Sequence, residues 1–106
     1  MGVIDTIPDT EITTTGSGVK IYTRPDKKVV YMKNITITNL ASSAATVEIW
    51  SGDPTASGSY RIMTVVVGAT STEALGKEIE GRKSIYDIYV VTDQQPRRVS
   101  GAVELR

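Results

Sequence analysis

The chain has 106 residues, 12 basic and 12 acidic, so its formal net charge is zero, and it contains no Cys, no His and no Phe. That length fits one domain with a single core, and the missing residue types exclude a disulfide framework, a thiol nucleophile, a Cys-type zinc site and the commonest general base. The neutral balance argues against a dedicated nucleic-acid binder, which needs surplus cations to meet the phosphates.

Val (12), Ile (11) and Thr (14) outnumber Leu (3). β-Branched side chains are stiff at χ1 and pack well on a pleated surface, so the composition predicts an all-β domain. Residues 1–18 read as an extended N-terminal arm, with Val3, Ile4, Ile7 and Ile12 spread among acidic residues and ending at Gly16-Ser17-Gly18. Two readings stand: a loosely held first strand, or an arm that pairs with a neighbouring subunit. Residues 19–106 then read as one sandwich domain.

Strand signals recur along that domain. Residues 19–23 form the first, closed by the turn Arg24-Pro25-Asp26-Lys27. Residues 29–39 form the longest, with Val29, Tyr31, Ile35 and Ile37 on one parity, and Lys33-Asn34 marks a bend or bulge. Residues 45–51 alternate cleanly, with Ala45, Val47 and Ile49 on one face and Thr46, Glu48 and Trp50 on the other. A polar loop, GDPTASGS, spans residues 52–59. Residues 60–67 follow, and Val65-Val66-Val67 predicts burial on both faces. A short strand fits 72–75, and a loop or helical turn fits 77–83. A strong strand fits 84–92, a turn 93–96 and a last strand 97–105. Turn signals every 8–15 residues or so suit an antiparallel β-sandwich, jelly-roll or Ig-like, of about six to eight strands.

Catalytic motifs fail on their chemistry. A phosphate loop at Gly76-Lys77 needs a glycine where Ser71 stands and a hydroxyl where Glu78 stands. The serines have no His to activate them, and no G-x-S-x-G elbow occurs. Gly52-Asp53-Pro54-Thr55 offers one carboxylate, too few for calcium. The expectation is a non-enzyme with no cofactor, no metal, no small-molecule substrate, and neither nucleic acid nor membrane as partner. Neither a secretion signal nor a long apolar run is readable in the sequence. Trp50 is either an exposed contact anchor or a lid over the open end of the sandwich.

The segment YMKNITITNLASSAATVEIWSG, residues 31–52, joins an Ile/Thr strand to a second alternating strand through a Ser/Ala-rich hairpin. With the Gly-Ala-Thr turn at 68–70 and the final SGAVEL strand, it resembles small all-β virion proteins of tailed phages, namely head decoration or cement proteins and neck or tail accessory proteins. The resemblance covers about residues 29–105 and is a pattern of strands and turns. It implies a virion structural protein, assembled in host cytoplasm, that binds copies of itself and a protein lattice such as a capsid. Ile4, Ile7, Ile12 and Trp50 are the candidate interface residues. The alternative is a carbohydrate-binding or adhesive module, which needs an aromatic platform.

Overall fold

The computed structural model describes residues 2–94 and 97–106. Among them are nine strands: β1 (Val3–Ile12), β2 (Val19–Tyr22), β3 (Val30–Asn39), β4 (Ala45–Ser51), β5 (Tyr60–Val67), β6 (Thr72–Leu75), β7 (Lys83–Ser84), β8 (Ile88–Thr92) and β9 (Arg97–Leu105). They form two antiparallel sheets. One has the order β1-β9-β3-β6, with β7 also on β3; the other has the order β2-β8-β4-β5.

The pairing reads as one long hairpin wound on itself. The first strand pairs with the last (β1 with β9), then β2 with β8, β3 with β6 and β7, and β4 with β5, and successive pairs fall in alternate sheets. That winding is a jelly roll, the double Greek-key form of the sandwich. Of the two architectures expected from sequence, the structure has this one.

The core lies between the sheets and is almost wholly aliphatic. Ile7, Ile12, Val30, Met32, Ile35, Ile37, Val99 and Val103 face Val47, Ile49, Ile88 and Val90. Buried polar contacts also cross the sandwich. The hydroxyls of Ser51 and Ser84 meet at 2.5 Å. Buried Asn39 donates from Nδ2 to the carbonyls of Ser43, Val67 and Gly68 and accepts the Ala41 amide at Oδ1. It thereby ties the end of β3 to the end of β5.

The bulge expected at Lys33-Asn34 is present: Met32 pairs with Val103, but Asn34 pairs with Ala102. An inserted residue reverses the side-chain parity. Val30 and Met32 therefore face inward before it and Ile35 and Ile37 after it, while Tyr31 moves to the outer face under the Arg106 guanidinium. The expectation of a single inward parity through Val29 and Tyr31 is corrected accordingly. Gly101 lies opposite, paired with Ile35, and a Cβ there would collide with the Asn34 carbonyl oxygen.

Three further expectations are corrected. The run 84–92 is two strands, because residues 85–87 carry the chain from one sheet to the other. Val66 is 63% exposed, since it shares the outward parity of Thr64 and β5 is an edge strand with only one neighbour. The arm boundary at 18 does not hold either: β1 pairs with β9 of its own chain from Val3 to Ile12, so the sandwich begins at β1. Residues 77–81 do make a helical turn, closed by the Glu80 amide on the Gly76 carbonyl, and it seats Ile79 in the core. The turn expected at 93–96 lies partly outside the described residues.

Candidate functional site

The four candidate interface residues separate in the structure. Ile7 and Ile12 are fully buried, so they serve the core of their own chain and are withdrawn as surface contacts. Ile4 is 59% exposed, beside an exposed Val3. Trp50 neither stands free nor closes the end of the sandwich. It lies half-buried on the outer face of β4, its indole N–H donating to Glu48 Oε1 at 2.9 Å.

The register places Trp50 in a row across its sheet. Tyr89 pairs with Lys20 on one side and with Trp50 on the other, and Trp50 pairs with Arg61. Two aromatic rings thus stand between two cations. Glu48 answers Arg61 at 3.4 Å and Asp87 answers Lys20 at 3.6 Å. These pairs are exposed and hold the row in register more than they stabilise it.

At one end of the sandwich, three connections converge: residues 23–29, the 52–59 loop and residues 85–87. Asp87 organises them. Its Oδ1 accepts the Arg24 amide at 2.7 Å, and its carbonyl accepts the Gly52 amide at 2.7 Å. Gly52 and Gly58 hold φ near +87° and +86°, a left-handed conformation that glycine adopts without strain, so the loop can fold back over the sheet end. The result is an open cleft of about 400 Å³. Its lining includes Arg24, Asp26, Asp53, Tyr86, Asp87 and Tyr89.

The cleft is acidic. Asp53 is held below the usual carboxylate range by the Thr55 amide and then the Thr55 hydroxyl, both on Oδ1. It stays ionised at neutral pH and so cannot serve there as a general acid. Three carboxylates against one guanidinium repel anions, phosphate included. Among the described residues, no three His, Cys, Asp or Glu side chains are grouped to hold a metal ion. The arrangement offers hydrogen-bond acceptors, one fork of donors and two phenol rings, which suits a neutral, hydroxyl-rich ligand.

Sequence reading did not assemble this cleft. It recognised the 52–59 loop as polar, weighed Asp53 as a lone carboxylate for calcium and read Asp26, Asp53 and Asp87 as solvated charges, whereas Arg24, Tyr86, Asp87 and Tyr89 meet only through the fold. The available signal was Asp87, a charge set within an otherwise apolar run. No protein-family model matches the chain, and no curated protein matches it.

Proposed function

We propose that this chain is a non-enzymatic virion structural protein, which stabilises or decorates a phage capsid or joins head and tail parts through contacts with its own copies and a protein lattice. The observation that carries the reading is the jelly-roll winding, an architecture shared by viral capsid domains. The dense aliphatic core and the ion-paired outer faces support it, since a lattice component needs a rigid body that presents surfaces. The test is mass spectrometry of gradient-purified particles from a virus that carries the gene. Stoichiometric copies in the particle are expected; a chain absent from the particles is not a virion component.

The cleft favours a second reading, a glycan-binding module, because jelly rolls also serve as lectin domains and the lining pairs phenol rings with carboxylates. A glycan array probed with the wild-type chain and with Tyr86→Ala tests it. Binding by the first and not by the second is expected. No bound glycan, or equal binding by both, removes the reading.

A further inference from the structure

Sheet edges expose unpaired N–H and C=O groups, and folded chains blunt them with proline, bulges, short strands or inward-pointing charge. The two sheets here have four edges. β1 carries Pro8, a register break between Ile7 and Thr10, and Asp5 on the inward parity of Ile7. β2 has four residues and a break between Lys20 and Tyr22. β6 has four residues, with Glu73 opposite buried Ile37 and hence on the inward side. Each of these edges resists another strand.

β5 is different in its second half. Its first half is blunted by a break beside Ile62, whose carbonyl accepts Arg82 Nη1 at 2.9 Å. Residues 63–67, Met-Thr-Val-Val-Val, then run in unbroken register against β4, from Met63 on Ile49 to Val67 on Ala45. The segment has no charge and no proline. The Val67 carbonyl is taken by Asn39. Among the described residues, no hydrogen bond from outside β4 reaches residues 63–66.

We propose that residues 63–67 pair antiparallel with the same segment of a second copy, joining two four-stranded sheets into one eight-stranded sheet about a two-fold axis. This rests on the homo-oligomeric part of the reading above and names its surface. The segment is its own complement. An antiparallel copy centred on Val65 sets Thr64 against Val66 twice and Val65 against itself, with no like charges opposed. The partner strand also covers Val66, the most exposed large apolar residue of its sheet. Left bare, such a segment would be an aggregation hazard.

The test is mass in solution by light scattering, with amide hydrogen exchange on the wild-type chain. Two copies of the 11.4 kDa chain are expected. The Thr64 and Val66 amides, which point away from β4, should be protected and lose that protection on dilution. The variant Thr64→Lys with Val66→Lys opposes lysines in the pairing while changing only outward positions, and should halve the mass with an unchanged circular dichroism spectrum. A monomeric wild type, a dimer that survives the double variant, or a dimer whose Thr64 and Val66 amides exchange freely overturns the proposal. A chain present in particles but monomeric in solution sinks this pairing and leaves the virion role standing; a dimer absent from particles does the reverse.

Discussion

The Tyr22 hydroxyl donates to Asp5 Oδ2 at 2.6 Å, linking β1 of one sheet to β2 of the other across the open side of the sandwich. The bond favours ionised Asp5 and neutral Tyr22. It holds the carboxyl below its ordinary value, with help from the Thr6 amide. Burial, and then Asp5, push the phenol well above its ordinary value.

Both shifts set a pH dependence. The Asp5 contribution is present above the unfolded pKa of about 4 and is lost as pH falls through the lower folded value. The Tyr22 contribution is full below the unfolded pKa of about 10 and is lost as pH rises toward the higher folded value. Tyr22→Phe should therefore flatten the stability profile at both extremes, read as the urea midpoint against pH. A mutant profile parallel to the wild type throughout would show that the bond carries no linkage.

The first strand belongs to the core, so its removal should cost the fold. Ile12→Ala should destabilise by about 2–5 kcal/mol, the range for deleting a large buried aliphatic side chain. Deleting residues 1–12 should abolish cooperative unfolding, since β9 would lose a neighbour and the core both Ile7 and Ile12. Thermal denaturation followed by circular dichroism distinguishes this from a dispensable arm, which would leave the midpoint where it was.

Gly101 faces the β3 bulge with no room for a methyl group. Gly101→Ala should cost about 1–3 kcal/mol, as overpacked sites do. Gly76, with open space at its Cβ position, supplies the control: Gly76→Ala should leave the urea midpoint within error. Equal midpoints for the two variants would contradict the close approach of β9 to β3.

Asn39 offers two amide hydrogens to three carbonyls, a demand that only an amide at that place meets. Asn39→Asp replaces the donor with a second acceptor facing those oxygens. The expected loss is about 1–3 kcal/mol for each buried carbonyl left without a partner, with faster amide exchange where β3 and β5 end. Wild-type stability in this variant would mean that water satisfies those carbonyls.

Much of the strand inventory was legible in sequence, for physical reasons. β4, β5, β6 and β9 fall at their expected bounds because polar turns bracket short β-branched runs. The Lys33 bulge was legible because a charge broke an apolar rhythm. Periodicity does not say which sheet a strand joins, so the switch at 85–87 was hidden, and with it the cleft around Asp87. Nor does it distinguish a central strand from an edge, and Val66 is exposed because it points outward from an edge strand. Ile79 was missed because one apolar residue in a charged turn has no period.

Strand β1 has one pairing partner, and it lies far along the chain: Ile12 meets Arg97, and Val3 meets Leu105. During synthesis at about 5–20 residues per second, β1 leaves the ribosome on the order of ten seconds before β9 exists to receive it. Ile7 and Ile12 travel uncovered for that interval. The strand-edge devices on β1 thus act first on the nascent chain, keeping an apolar segment from the wrong neighbour until the right one is made. A topology closed by its most distant pair also folds slowly, because loop closure must precede the contacts that reward it.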